Sequence, residues 1–112
     1  LYKKYQEILK ELPLKLIKIP NDNYSSIHLV IVRLKNKNTH QKVFTELRKN
    51  GIGVQLHYQP VHLQPYYKKL GFKKGDFPIS ENFAESCFSL PLYPELNNYD
   101  LKRIYKLLKN SL

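Results

Sequence analysis

Residues 51–67, GIGVQLHYQPVHLQPYY, bring together histidine, tyrosine and glutamine side chains that donate and accept hydrogen bonds. Prolines in this run remove backbone donors and favour extended backbone before them, so the run cannot form one continuous buried element. The pattern indicates a strand that ends in an irregular binding loop, although a turn-rich connection whose rings cap a core would have the same composition. The candidate ligand-binding residues that this chemistry indicates are His57, Tyr58, Gln59 and His62.

Nucleophilic and metal chemistry find little support in the same residues. His57 and His62 are separated by four residues across a proline, and a zinc site needs further ligands that their surroundings do not supply. Cys87, the only cysteine, falls at helical spacing with Ile79 and Phe83, which is typical of a small core residue rather than a nucleophile. We therefore predict no metal site and no complete catalytic site in these residues alone. His57, Tyr58, Gln59 and His62 could either bind a polar ligand or complete a site built mainly elsewhere.

The element that would position these residues is a short strand. Val54, Leu56 and Tyr58 alternate with Gln55 and His57, which is typical of a half-buried strand with one polar face. This pattern predicts that Gln55 and His57 point together, away from the core. His57 would then be an exposed ring, and its replacement by alanine would change stability by no more than about 0.5 kcal/mol.

The remaining pattern indicates an α+β fold, in which helices pack on a few mainly antiparallel strands. The strongest strand signal places His28 inside the sheet, where we expect a hydrogen-bonded structural imidazole. Gly51 is expected to end a helix in the left-handed conformation. The predicted elements are a first helix from Leu1 that Pro13 ends, a strand over Ile27–Leu34, a helix from a Thr39 cap to about Asn50, a helix from Pro78 that carries Cys87, and a last helix capped by Asn97 with Asp100.

Length and composition favour one globular domain. The chain has 112 residues, of which 42% are hydrophobic, and lacks both a signal-peptide pattern and a run long enough to cross a membrane. A single cysteine is compatible with a reducing, cytoplasmic location. Because the sequence contains no methionine, we expect it to be a piece of a longer protein.

The net charge of +10 raises the alternative of a basic interaction or nucleic-acid-binding module without catalytic activity. Only three of the nineteen basic residues are arginines, and the lysines are spread along most of the chain rather than clustered in one motif. No motif of a nucleic-acid reader accompanies them, so we predict no nucleic-acid partner and no membrane partner.

Several motifs in a fixed order resemble the C-terminal region of the DegT-type nucleotide-sugar aminotransferases. The densest match is residues 51–67, followed by Leu-Gly-Phe at 70–72, Asp-Phe-Pro at 76–78 and Leu-Pro-Leu-Tyr-Pro at 90–94. Ser-Ile-His-Leu at 26–29 is similar to the family's approach to its central strand. Within the family, the sequence is similar to the UDP-amino-dideoxy-altrosamine transaminase of pseudaminic acid biosynthesis.

The resemblance implies a homodimeric, pyridoxal 5'-phosphate (PLP)-dependent enzyme of the aspartate-aminotransferase fold (fold type I), with glutamate as amino donor and a UDP-linked 4-keto-6-deoxy sugar as acceptor. Residues 1–112 would be its single small C-terminal domain, which closes over the substrate. The Schiff-base lysine and the cofactor-binding residues would lie in a large domain outside this chain, so the chain alone is predicted to be inactive. In the family the segment equivalent to 57–60 lines the sugar-nucleotide pocket, and we carry that role onto His57, Tyr58, Gln59 and Pro60, with His62 as a further candidate.

Overall fold

The computed structural model describes residues 1–112 as five helices and a three-stranded antiparallel sheet, which confirms the predicted fold class. Two single 3₁₀ turns, Lys37–Thr39 and Val61–Leu63, precede the second and third helices. No helix is both long and apolar enough to cross a membrane. The elements in chain order are α1 (Tyr2–Leu9), β1 (Leu14–Leu16), β2 (Val30–Leu34), α2 (His40–Lys49), α3 (Pro65–Lys69), α4 (Pro78–Ser86), β3 (Cys87–Leu90) and α5 (Asn98–Ser111).

The central strand is β2, which pairs with β1 on one side and β3 on the other. It begins at Val30 rather than at Ile27, because neither neighbour extends far enough to pair with residues 27–29. The prediction for His28 is therefore wrong. His28 lies ahead of the strand and is exposed, so its ring is not a structural group inside the sheet.

One face of the sheet carries the hydrophobic core. Alternate residues of β2 are buried there, as the period of two in a strand requires. Helices α1, α2 and α5 close over this face through stripes of apolar residues at helical spacing. The largest fully buried side chains are Tyr5, Leu9, Val30, Val32, Val43, Leu47, Val54, Phe88, Ile104 and Leu108.

Two helix ends follow the sequence closely. Gly51 has a φ of +74°, and the N–H groups of Gly51 and Ile52 donate to the carbonyls of Arg48 and Leu47, which is the hydrogen-bond pattern of a Schellman motif. At the start of α5 the Asn97 side chain accepts from the Tyr99 and Asp100 N–H groups, and the Asp100 carboxylate accepts from Asn97 N–H, so the predicted capping box is confirmed.

Two other predictions for helix ends hold only in part: α2 has the predicted bounds but lacks the side-chain cap, and α1 ends before Pro13. Thr39 precedes α2 but makes no side-chain cap, because its hydroxyl donates to the Asn36 carbonyl in the 3₁₀ turn before the helix. Helix α1 ends at Leu9, although the following Leu12 is buried by its contact with the core. Thr39 is bonded within a turn and Leu12 packs in the core outside a helix, so neither residue has the role that the helical pattern predicted.

The third strand was not predicted. Cys87 was assigned to the helix that starts at Pro78, but α4 ends at Ser86 and Cys87 is the first residue of β3, paired with Arg33. All four residues of β3 are buried, so the strand has no polar alternation that would reveal it. Cys87 itself is buried as predicted, and burial raises the pKa of its thiol.

Candidate functional site

The segment that carries the predicted site runs along the outer edge of β3 but does not form a strand. Only Gln55 pairs with the sheet: its N–H donates to the Ser89 carbonyl (3.3 Å), and Ser89 N–H donates to its carbonyl (2.9 Å). A single bridged residue does not hold the following residues in a pleated strand. The predicted alternation of buried and exposed side chains therefore fails beyond Gln55. Leu56 is 46% exposed and Tyr58 is 73% exposed, whereas both were predicted to face the core.

His57 turns toward the sheet instead of toward solvent, which corrects the prediction that it is an exposed ring. The imidazole is half-buried, and its Nε2 lies 2.7 Å from the Ser89 hydroxyl. The other ring nitrogen, Nδ1, is buried and has no hydrogen-bond partner. The Tyr58 ring stands edge-on to the imidazole, with 4.9 Å between the two ring centroids.

Gln59 and Pro60 form the turn that follows. The Gln59 side chain is exposed and donates from Nε2 to the Leu63 carbonyl (3.3 Å). The Pro60 carbonyl accepts from Leu63 N–H (2.9 Å) and so begins the 3₁₀ turn. Tyr58 and Gln59 are thus the two predicted site residues whose side chains are exposed and accessible to a ligand.

His62 differs from the other candidates because it is only 7% exposed. Its Nε2 lies 2.9 Å from Glu81 Oε1, and the same oxygen accepts from Gly75 N–H (2.8 Å) and Phe77 N–H (3.4 Å). Burial alone would raise the pKa of the Glu81 carboxyl, but these three hydrogen bonds outweigh it and hold the pKa below its ordinary value. His62 therefore joins the site loop to α4, and a direct part in substrate binding stays a prediction.

An aromatic surface lies next to His62. The rings of Tyr67, Phe72 and Phe77 contact one another in sequence, with centroids 6.3 and 6.1 Å apart, and Phe77 contacts His62 at 4.8 Å. With Val61 they line an open groove of about 290 Å³. This groove offers flat apolar faces, which suit the stacking of a base or a sugar ring.

A basic groove of about 270 Å³ lies where β1 and β2 meet α4. Its cations are Lys15, Arg33, Lys35 and Lys37, and the Arg33 guanidinium donates to Asn82 Oδ1 (2.6 Å). It was not anticipated from the sequence, since its members come from separate elements.

Every lysine of the chain is exposed. That the Schiff-base lysine and the cofactor-binding residues lie outside this chain stays a prediction. His, Cys, Asp and Glu side chains do not converge in groups of three that could hold a metal ion. What the described residues can do chemically is to bind and orient a polar ligand through His57, Tyr58 and Gln59.

Sequence reasoning missed two residues that organise the site, Ser89 and Glu81. Glu81 carried a weak signal, because it is an acidic residue in the first turn of a helix that follows a glycine-containing loop. Ser89 carried none, since its role depends on the pairing of β3 with Gln55.

Comparison with known proteins gives a consistent result. The family model described as "DegT/DnrJ/EryC1/StrS aminotransferase family" matches residues 1–109. The uncharacterized protein MJ1066 of Methanocaldococcus jannaschii is 42% identical over 80 residues, which cover 70% of this chain and 20% of that protein. The chain thus spans only a fifth of this relative's length.

Solved structures extend the likeness to the fold. The putative sugar aminotransferase Spr1654 from Streptococcus pneumoniae, in its PMP form, superposes with a TM-score of 0.88 at 27% identity, over 97% of this chain and 28% of that one. It has also been solved in apo and PLP forms. Helicobacter pylori PseC, an aminotransferase involved in the biosynthesis of pseudoaminic acid, superposes with a TM-score of 0.84 at 25% identity, over 98% of this chain and 30% of that one.

The comparisons give no support to a nucleic-acid-binding module. The match to the family covers almost the whole sequence, and the fold of the three-stranded sheet and its helices is the same as in solved aminotransferases. The chain therefore belongs to the DegT/DnrJ/EryC1/StrS aminotransferase family.

Proposed function

We propose that this chain is the C-terminal domain that closes over the substrate in a PLP-dependent aminotransferase. The enzyme would transfer an amino group from glutamate to a UDP-linked 4-keto-6-deoxy sugar, in the biosynthesis of pseudaminic acid or another surface glycan. The observation that carries the proposal is the family match over residues 1–109. The likeness to PseC supports the choice of substrate class.

The site chemistry agrees with a nucleotide sugar as ligand. Such a substrate offers hydroxyl and acetamido groups, which need neutral donors and acceptors and flat apolar faces. Tyr58 and Gln59 provide these at the solvent-facing side of the segment. The neighbouring groove along Tyr67, Phe72 and Phe77 extends the apolar surface.

In this proposal the residues of the chain bind and orient the substrate and exclude water, whereas the cofactor and its lysine belong to a separate large domain. The complete enzyme would be a homodimer, because the active enzymes that the sequence resembles work as homodimers. The described residues would supply no proton-transfer step of their own.

A chimeric enzyme tests the proposal. The region of PseC that matches this chain is replaced by residues 1–112, and amino transfer from glutamate to a UDP-linked 4-keto sugar is measured. We expect the chimera to turn over, and the chain alone to show neither turnover nor a retained absorbance band of PLP after gel filtration. A folded, PLP-loaded chimera that accepts another nucleotide sugar but rejects the UDP-linked one would refute the substrate class.

A further inference from the structure

Ser89 contacts the site segment at two points. Its backbone exchanges two hydrogen bonds with Gln55, and its hydroxyl lies 2.7 Å from His57 Nε2. The Ser89 side chain is only 4% exposed, and the imidazole is its one hydrogen-bond partner. A single residue of β3 therefore fixes both the path of the segment and the orientation of the His57 ring.

The other nitrogen of that ring is the exception among the buried side-chain polar atoms. His57 Nδ1 is the only one that lacks a partner. Buried polar atoms are nearly always hydrogen-bonded, so an unpaired one at a proposed ligand site calls for a specific explanation. Because Nε2 is occupied by Ser89, Nδ1 is the one ring atom that is left for a ligand.

We propose that Ser89 is a positioning residue that holds His57 with Nε2–H donating to its hydroxyl, so that the Nδ1 lone pair accepts a hydrogen bond from a hydroxyl or amide N–H of the sugar substrate. Either tautomer leaves one donor without a partner, but the Ser89 hydroxyl hydrogen can rotate toward another acceptor, whereas an Nδ1–H would be fixed in the ring plane with none, which favours the Nε2–H form. The identity of the ligand rests on the proposed function, whereas the orientation and tautomer of His57 do not.

Tyr58 is the side chain that would open the way to Nδ1. Its ring is adjacent to the imidazole and 73% exposed, and its hydroxyl makes no hydrogen bond within the chain. Rotation of this ring would break the edge-on contact between the two rings and no hydrogen bond of the Tyr58 hydroxyl. The substrate would replace that contact with a hydrogen bond to the imidazole.

The first experiment measures the tautomer of His57 by ¹⁵N NMR on the 112-residue chain with labelled histidine, assigned by comparison with His57→Gln. We expect the Nε2–H form in the unmodified chain, a mixture of tautomers in Ser89→Ala, and recovery of one form in Ser89→Thr. Ser86→Ala is the matched control, because Ser86 is equally buried but bonds only to helix carbonyls and the neighbouring Cys87 thiol. If Ser89→Ala does not fold, Ser89→Cys gives the same comparison with a weaker hydrogen-bonding group.

An Nδ1–H form in the unmodified chain, or an unchanged tautomer in the folded Ser89 variant, would overturn the positioning role. If the bond between Ser89 and His57 were merely structural, its loss would lower stability but would not change the tautomer of the His57 ring. The NMR signature thus separates the two roles.

The second experiment uses the chimeric enzyme. We expect Ser89→Ala to raise KM for the UDP-linked keto sugar about five- to tenfold, the usual scale for one hydrogen bond, with kcat changed less than about twofold. Ser86→Ala should leave both unchanged, and an unchanged KM in Ser89→Ala would overturn the contact between Nδ1 and substrate. An inactive unmodified chimera would count against the proposed function alone, and the NMR comparison would still decide the role of Ser89.

Discussion

His57 and Tyr58 are adjacent in the chain but have opposite surroundings. The His57 ring is half-buried and bonded to the buried Ser89 hydroxyl, whereas the Tyr58 ring is largely in solvent. A loss of substrate affinity in a His57 variant would therefore be mixed with a loss of stability. Tyr58 is the cleaner probe of binding, whereas the alternation of the sequence had predicted that His57 faces solvent and Tyr58 faces the core.

We predict that His57→Ala lowers the free energy of unfolding by about 1–3 kcal/mol, because it leaves the Ser89 hydroxyl buried without a partner. Tyr58→Ala should change it by less than about 0.5 kcal/mol, as is usual for exposed positions. Urea unfolding of the 112-residue chain measures both values. Equal, small effects of the two substitutions would show that the bond to Ser89 is not formed in solution.

Glu81 should make stability depend on acid pH. Its pKa is held below the value of an unfolded glutamate, about 4.3, so the stability it adds is present above that value and is lost as the pH falls through the folded-state pKa. The free energy of unfolding of Glu81→Gln should therefore fall less between about pH 5 and pH 3 than that of the unmodified chain. The measurement is urea unfolding at several pH values.

The control for this prediction is Glu95→Gln, because Glu95 is exposed and makes no hydrogen bond within the chain. Glu85, whose pKa is held at about 2 by hydrogen bonds from Lys37 and Lys74, is present in both variants, so its contribution cancels. The same acid dependence in Glu81→Gln and in Glu95→Gln would contradict the prediction.

At the scale of elements, the end of α2 determines where the site segment starts. The Schellman motif at Gly51 reverses the chain, and Ile52 and Val54 then enter the core ahead of Gln55 and its bridge to β3. At its other end the site segment is attached to α4 by the hydrogen bond between His62 and Glu81. The end of α2 and the first turn of α4 thus together determine the position of the site segment.

We predict that Gly51→Ala destabilises the chain by about 1 kcal/mol, because alanine pays a conformational cost at positive φ. The added Cβ would meet Arg103 Nη2 at an ordinary 3.7 Å, so the cost comes from the backbone and not from a clash. Gly53→Ala is the matched control: no atom lies within 4 Å of its Cβ, its φ is not positive, and we expect a change below about 0.5 kcal/mol. Thermal unfolding compares the two, and equal effects would argue against the left-handed cap.

For the whole molecule, the net charge of +10 comes from nineteen basic against nine acidic residues, and every lysine is exposed. Contacts of this kind with DNA are electrostatic and weaken steeply as salt displaces them. We predict micromolar or weaker binding to mixed-sequence DNA at low salt and no measurable binding at physiological salt. Fluorescence anisotropy of labelled DNA measures both. Nanomolar, sequence-selective binding that persists in salt would support the alternative of a nucleic-acid module.

The elements that the sequence determined by itself are those that depend on local chemistry. Gly51 ends α2 because only glycine adopts positive φ without cost, and Asn97 with Asp100 caps α5 through side chains three residues apart. The order of motifs from residue 26 to residue 94 likewise identified the family, which the match over residues 1–109 confirms.

Tertiary structure alone decided which way the site residues face. Strand β3 exists because Cys87–Leu90 pair with β2, and the same strand offers Ser89 to both Gln55 and His57. Partners that lie 19 to 34 residues apart, such as His62 with Glu81 and Gln55 with Ser89, leave no periodic trace in the sequence. The types of the site residues could therefore be read from the chain, but their burial and hydrogen bonds follow from contacts that only the folded molecule makes.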